Sequence, residues 1–397
     1  MAETDVEAFR AEVRQWLEAN CPPSLRTPAP EDEDVWGGTR GTFKHPDSRG
    51  WLERAADRGF TAPTWPKKYG GAGLSREEAA VLQEEMRRLG CRLPLKSLGV
   101  WLLGPVLLAH GTEEQKTQFL PPMARGEARW CQGYSEPGAG SDLASLATSA
   151  VRDGDSYVVN GQKTWTSQAD QADFMFCLVR TGTGKNKHDG ISFLLIDMTS
   201  PGVSVKPILL ISGSSPFCET FFEDVRVPAK NLLGAEHQGW GIAKELLSHE
   251  RAAISSLRDA SVEAEQPLQD LAKRLVGLVD GKISDPVIRD KITQSNLDVL
   301  CNQLTLKRSA ESMAAGRGPG SETSMFKYYA AEMSKRRKEL KVVICGFAGL
   351  GWEGHDHPPK LLTFTREWLR SRANSIEGGT SEVQLNIIAK RVLGLPD

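Results

Sequence analysis

The hydrophobic period changes twice along this chain, and that change limits the folds open to it. From the N-terminus to about Gly126 the apolar residues recur at helical spacing, as in SREEAAVLQEEMRRLG. Between about Trp130 and Gly234 the period drops to two, with β-rich runs at 156–160, 173–180, 191–197 and 219–227. After Gly239 the helical period returns and persists almost to the end. Helices, a β insert and helices again predict a mostly α chain with domains at 1–126, 127–234 and 235–397. A chain of 397 residues is longer than one core usually serves, and it can bury a cofactor.

Local signals refine this outline. Thr112-Glu-Glu reads as a helix start, a hydroxyl cap followed by two acids at the positive end. Asp153-Gly154 and Asn160-Gly161 carry hairpin-turn chemistry. The most apolar stretch, Ser97 to Gly111, falls short of the ~20 residues of a membrane span and is interrupted by Gly104-Pro105, so it predicts buried helices. Gly99 and Gly104 either leave room for a bulky ligand or let helices touch.

Charge and cysteine usage exclude whole classes of function. Lys and Arg number 49 against 51 Asp and Glu, a balance that argues against nucleic acid or a membrane surface as partner and for a small molecule. Seven cysteines stand singly without a CxxC pair, and the acidic, amphipathic start lacks the basic-then-apolar form of a signal peptide; both predict a reducing, cytoplasmic location. His355-Asp356-His357 has no further ligand nearby and precedes two prolines, so a polar loop is expected there and no metal site.

Two stretches concentrate small and polar residues. YSEPGAGSDLASL, Tyr134 to Leu146, reads either as a tight surface turn or as backbone that lets a flat ligand approach closely. NGQKTWTSQAD, Asn160 to Asp170, places Trp165 among Thr164, Thr166 and Ser167. A large aromatic beside hydroxyl donors suits a flat heterocycle with polar edges, and a buried core tryptophan is the alternative.

Together with WPKKYGGAGLS and the closing GTSEVQLNIIAKRVLG, these stretches resemble the acyl-CoA dehydrogenase family along essentially the whole chain. The resemblance implies an N-terminal helical domain, a middle β-barrel-like domain and a C-terminal four-helix bundle, with FAD as cofactor. It implies α,β-dehydrogenation of an acyl-CoA and transfer of electrons to an electron-transfer flavoprotein; an acyl-CoA oxidase of the same fold and a non-catalytic subunit are the alternatives. Carried over by position, Ser135 would bond the pyrimidine edge of the flavin, Ser167 would lie near its N5, and Trp165 would pack on the ring. Tyr134, Gly140 and Thr166 would complete that part of the cofactor site. Ser141 would serve both cofactor and the pantetheine arm, Thr380 would face the FAD phosphates or ribityl chain, and Glu382 would accompany it.

The chemistry needs a base for the proton alpha to the thioester carbonyl and donors on the carbonyl oxygen. Family members commonly carry the base immediately before a Gly-Thr pair. Here Gly379-Thr380 registers with that pair, which puts Gly378, and not Glu377, at the base position and leaves its N–H to face the thioester oxygen. A second branch of the family moves the base to an earlier Glu-Arg pair, which this chain has at Glu250-Arg251. Trp240, Ala243, Leu247, Glu250 and Ile254 step by three and four, so Glu250 falls on the apolar stripe of an amphipathic helix. The choice is between a base and a buried, paired glutamate; the Gly378 register favours the base. Arg251 and Leu246 are expected at the substrate.

Many homotetrameric relatives clamp the FAD pyrophosphate with an Arg-x-x-Phe-Gly segment that is absent from QDLAKRLVGLVDGKISDPVIRDK here. That departure, with Glu250-Arg251, makes the chain similar to large subunits of heteromeric types such as pimeloyl-CoA dehydrogenase or bacterial steroid side-chain acyl-CoA dehydrogenases. A homo-oligomer or a heteromer with a related subunit is expected.

Overall fold

The computed structural model describes residues 3–28, 30, 33–247, 267–314, 323–354 and 358–396. The chain divides into two compact units, residues 1–208 with 216–249, and residues 209–215 with 250–397.

The first unit begins with five helices, α1 (Glu3–Asn20), α2 (Ser48–Asp57), α3 (Arg76–Leu89), α4 (Gly104–His110) and α5 (Glu113–Ala124). The caps show why α3 and α5 start where they do. Ser75 accepts from the Glu78 N–H while the Glu78 carboxylate reaches back to the Ser75 N–H, and Thr112 and Gln115 repeat the exchange at α5. Gly90, at φ 72°, closes α3 in the left-handed conformation that glycine adopts without strain. The apolar stretch before α5 is a π-helical turn (Gly99–Leu103) running into α4, and no described helix is long and apolar enough to cross a membrane. Gly104 leaves no gap: a methyl group there would overlap the Trp65 ring. One at Gly99 would stand 2.9 Å from Met123 and Trp130.

Glu85 ties these helices together. It is 2% exposed and receives a two-pronged fork from Arg14, both bonds 3.0 Å, plus donors from Arg88 at 2.6 Å and Arg10 at 3.3 Å. The Arg14 bonds, reinforced by Arg88 and Arg10, outweigh burial and hold the carboxyl at about 2, below its ordinary 4.5. Its contribution is therefore complete above pH about 4.5 and fades as pH falls toward about 2. Glu85→Gln is expected to cost ~2 kcal/mol near neutrality, a figure reduced because the arginines remain partly hydrated. Urea unfolding at falling pH checks this: the gap between wild type and variant should close in acid, and a constant gap would refute it.

A curled, half-barrel sheet follows, with strands β1 (Trp130–Gly133), β2 (Ser149–Asp153), β3 (Ser156–Ser167), β4 (Phe174–Arg180), β5 (Ile191–Asp197), β6 (Val203–Ile208) and β7 (Phe217–Pro228). Spatial order is β1-β4-β2-β3-β7-β6, and β5 pairs with β4. β1 runs parallel to β4, whereas β2/β3, β3/β7, β4/β5 and β6/β7 are antiparallel. Asp153-Gly154 makes the β2/β3 turn, with Gly154 at φ 55°. Asn160-Gly161 does not turn: it lies inside β3 at a register shift, where Asn160 bonds Asp224 across the strands and Gly161 lets the backbone pass Thr148. Met175, Cys177, Leu194, Ile196 and Val225 anchor the core beneath the sheet. Helix α6, described over 239–247, closes this unit and buries Ile242, Ala243 and Leu246.

The second unit is helical: α7 (Leu268–Leu275), α8 (Pro286–Ala314), α9 (Thr323–Cys345), α10 (Pro359–Ser371) and α11 (Ser381–Ile387). Its core gathers Leu271, Ile292, Leu340, Ile344, Leu361 and Phe364. A small hairpin, β8 (Leu278–Val279) with β9 (Lys282–Ile283), interrupts the helices at Asp280-Gly281, both at positive φ. All seven cysteines are free.

Candidate functional site

The expected site residues fall in both units, and each unit builds its part separately. In the first, the stretch after β1 and the end of β3 are stapled by an ion pair. Lys163 is fully buried, and its Nζ donates to Glu136 Oε1 at 2.8 Å and to the Tyr134 carbonyl at 3.1 Å. Glu136 accepts in addition from the N–H groups of Ala147, 2.7 Å, and Thr148, 2.9 Å. Burial works to raise the Glu136 carboxyl, but the Lys163 charge and these donors prevail and hold it below its ordinary value. A third link joins the same segments, from the Thr164 N–H to the Ser135 carbonyl at 2.9 Å. Neither Lys163 nor Glu136 stood out in the sequence, because a charged residue on a strand or in a turn reads as solvent-facing.

The staple holds Trp165 in an unusual place. Between Lys163, which pairs with Thr220, and Thr166, which pairs with Cys218, two residues of β3 oppose one of β7. In this bulge Trp165 sits at φ 60°, rare for a bulky side chain, and 55% of it is exposed. It is not a core tryptophan. Its described ring partner is Phe217, edge-on at 6.2 Å. An exposed indole on a strained backbone beside hydroxyls is a platform for a flat ligand.

The hydroxyls divide into two sets. Those of Ser135, Ser141 and Ser167 take no partner among the described residues. Thr166, expected at the cofactor, has its hydroxyl buried and bonded to the Cys218 carbonyl at 2.8 Å and to Thr220 at 2.9 Å, so its side chain serves the sheet. Tyr134 is likewise buried, edge-on to Phe176 and Phe193. Leu246, expected at the substrate, is wholly buried. Glu136 and Ala139 exchange backbone bonds of 3.1 and 3.0 Å across a tight turn. Beside it, Gly138 and Gly140 have no atom of the described residues within 4 Å of an added Cβ, so no packing among those residues requires glycine there. That open space, with three hydroxyls and a bare indole, fits a flavin with polar edges.

In the second unit Gly378 and Gly379 stand at φ 62° and 88°, conformations suited to glycine. Glu377, just before them, receives a bond from Arg370 Nη2 at 2.8 Å. The turn is latched to α9, where Lys327 donates to the Asn374 carbonyl at 3.1 Å, Asn374 to Ser334 at 3.0 Å and Lys335 to Ser375 at 3.2 Å. Thr380 caps α11, its Oγ accepting from the Val383 N–H at 3.1 Å, which leaves the hydroxyl proton for an outside acceptor. Ser381 Oγ and Gln384 Oε1 are buried without a partner among the described residues, and Glu382 beside them is exposed. Buried unpaired polar atoms next to a glycine turn fit a polar ligand, and here the FAD phosphates or ribityl chain are the group implied.

Glu250 and Arg251 lie outside the described residues, as does the stretch His355 to His357. Among the described residues no cluster of His, Cys, Asp and Glu could hold a metal ion.

Three family domains match in order: acyl-CoA dehydrogenase N-terminal domain over residues 3–127, middle domain over 131–225 and C-terminal domain over 237–393. The chain is 37% identical over 394 residues to the acyl-CoA dehydrogenase IpdE1 of Mycobacterium tuberculosis (strain ATCC 25618 / H37Rv), covering 99% of this chain and 98% of that protein. Among solved structures it is similar to the Tcur3481-Tcur3483 steroid ACAD, 28% identical with a TM-score of 0.78 over 100% of this chain and 99% of that one. It is also similar to the ChsE4-ChsE5 complex from Mycobacterium tuberculosis, 30% identical with a TM-score of 0.76 over 100% and 99%. Matched from residue 3 to residue 393, the chain belongs to the acyl-CoA dehydrogenase family of FAD-dependent flavoproteins, oxidoreductases that act on the CH–CH bond of acyl-CoA thioesters.

Proposed function

We propose that the chain is the catalytic subunit of a heteromeric, cytoplasmic acyl-CoA dehydrogenase that forms a 2-enoyl-CoA with Glu250 as base and passes its electrons to an electron-transfer flavoprotein. The observation that carries the assignment is negative at one position and positive beside it. Gly378, where the family commonly places the base, has no side chain and a φ of 62°, and the adjacent Glu377 is paired with Arg370. The carboxylate must then come from elsewhere, and Glu250 stands in the Glu-Arg pair used by the second branch.

The chain's own groups divide the work. Glu250 takes the proton alpha to the thioester carbonyl, and Arg251 borders the substrate. The Gly378 N–H donates to the thioester oxygen and stabilises enolate character. Ser135 and Ser167 donate to the polar edge of the cofactor, the Trp165 indole shields its ring from water, and Ser141 serves the pantetheine arm. Thr380 donates to the phosphates or ribityl chain, with Glu382 alongside. FAD, when bound, supplies the acceptor for the hydride leaving the beta carbon.

Relatives named for steroid chemistry and complexes of two chains put a steroid-derived acyl group and a related partner subunit first. Anaerobic titration of the purified chain, with and without its co-expressed partner and followed by flavin absorbance, tests this. Bleaching by steroid-derived acyl-CoAs is expected, and peroxide release during turnover in air would indicate an oxidase. A chain that stays colourless even with the partner would overturn the reading in favour of an auxiliary subunit.

A further inference from the structure

A second polar cavity in the first unit uses none of the residues assigned above. It measures about 210 Å³ and is lined by Asp34, Trp36, Thr42, Lys44, Arg129 and Gln168, with Gln171 and two glycines of the loop before α2. Arg129 is 5% exposed, and among the described residues no carboxylate lies within ion-pair distance of its guanidinium. Buried arginines are ordinarily paired with an acid. Here Nη1 ends on Gln171 Oε1 at 2.8 Å and Nη2 on Gln168 Oε1, both neutral amide oxygens.

Two of the nearby acids are engaged elsewhere. Asp173 accepts from the N–H groups of Arg129, 2.8 Å, and Thr39, 3.2 Å, and from the Thr39 hydroxyl. Asp34, the acid in the cavity wall, is paired with Lys96. Burial pulls the Arg129 guanidinium below its ordinary value, opposed through space by Asp170, Asp173 and Cys131. The loop is pressed onto this arginine: a Cβ on Gly38 would lie 2.6 Å from Arg129 Cβ, and one on Gly37 would overlap the Gly126 carbonyl. That packing sets Trp36 with its ring 5.5 Å from the guanidinium carbon.

We propose that this cavity is a binding site for a small oxyanion, the carboxylate of a compact organic acid or free phosphate, held by the Arg129 fork between Gln168, Gln171 and the face of Trp36. A planar guanidinium with spare donors matches either group bidentately. At about 210 Å³ the cavity is smaller than the roughly 300–1,000 Å³ of pockets that take drug-sized ligands, a size that suits a small anion.

Calorimetric titration of the FAD-loaded protein with succinate, benzoate and inorganic phosphate tests the site. One class should bind saturably with a Kd below ~1 mM, and which class binds identifies the source of the anion. Arg129→Gln should weaken that binding at least tenfold, or about 1.4 kcal/mol. Because that change touches a buried position, Thr42→Glu is the second variant: it lies at an exposed wall residue, keeps the fold, and offers Arg129 a tethered carboxylate that should compete with the free ligand. Failure of all three titrants to bind at ~10 mM, or binding unchanged by Thr42→Glu, would overturn the proposal.

Discussion

Glu250→Gln is expected to leave FAD and acyl-CoA binding in place while slowing substrate-driven flavin bleaching by roughly 10²–10⁴-fold, the range a positioned general base contributes. Glutamine keeps the size and polarity of the side chain and removes only its ability to take the proton. Glu377→Gln is the matched control. Its carboxylate is held by Arg370 at 2.8 Å, so its loss should move stability more than the rate of bleaching. Rapid-mixing absorbance with both variants decides the question: full activity in Glu250→Gln together with a dead Glu377→Gln would transfer the role.

The second large effect is expected at Lys163. Lys163→Met leaves the Glu136 carboxylate buried beside two N–H donors with no cation, a change that costs on the order of 3–5 kcal/mol. Adding Glu136→Gln should recover part of the loss, because the uncompensated charge is then gone while the amide oxygen still accepts from one of the two N–H groups, of Ala147 or Thr148. The turn bearing Ser135 and the bulge bearing Trp165 are both tied to this pair, so the single variant should also lose flavin on dilution. Urea unfolding and flavin retention of the single and double variants measure the two effects. A single variant within ~1 kcal/mol of wild type would show that the pair stabilises little.

The helical parts of this fold were legible because caps and period agree locally, as at Ser75/Glu78 and Thr112/Gln115. The sheet was only partly so. β4 and β5 were readable as apolar runs, whereas β1 has four residues and β6 is an edge strand of half-exposed side chains containing Pro207, too weak a pattern to detect. β3 was cut short at Asn160 because Asn-Gly is a turn signal in sequence, and only the pairing with β7 shows that the strand runs on, the register shift there being taken up by an extra residue of β7. Asp280-Gly281 was a true turn that passed unnoticed, since two-residue strands have no period to recognise.

The candidate site divides along the same line. Residue identities such as Ser135 and Ser167 were visible as motif letters, but direction was not. Thr166 faces the sheet, Trp165 faces solvent, and Lys163 reaches a partner 27 positions earlier in the chain. These outcomes depend on register, which no short window of sequence contains.

The bulge has a consequence for how this segment can vary. Lys163 and Thr166 are three residues apart and both fully buried, although an unbroken strand would send them to opposite faces. Their partners Thr220 and Cys218 are two apart, and the extra residue on β3 makes up the difference. The bulge is thus a phase correction. Exchanging Trp165 for another residue alters a surface, whereas deleting Thr164 or Trp165 would remove the extra residue and close the bulge into regular pairing, with Lys163 and Thr166 two apart and still on one face. The extra residue therefore serves the exposed indole and not the pairing of the sheet.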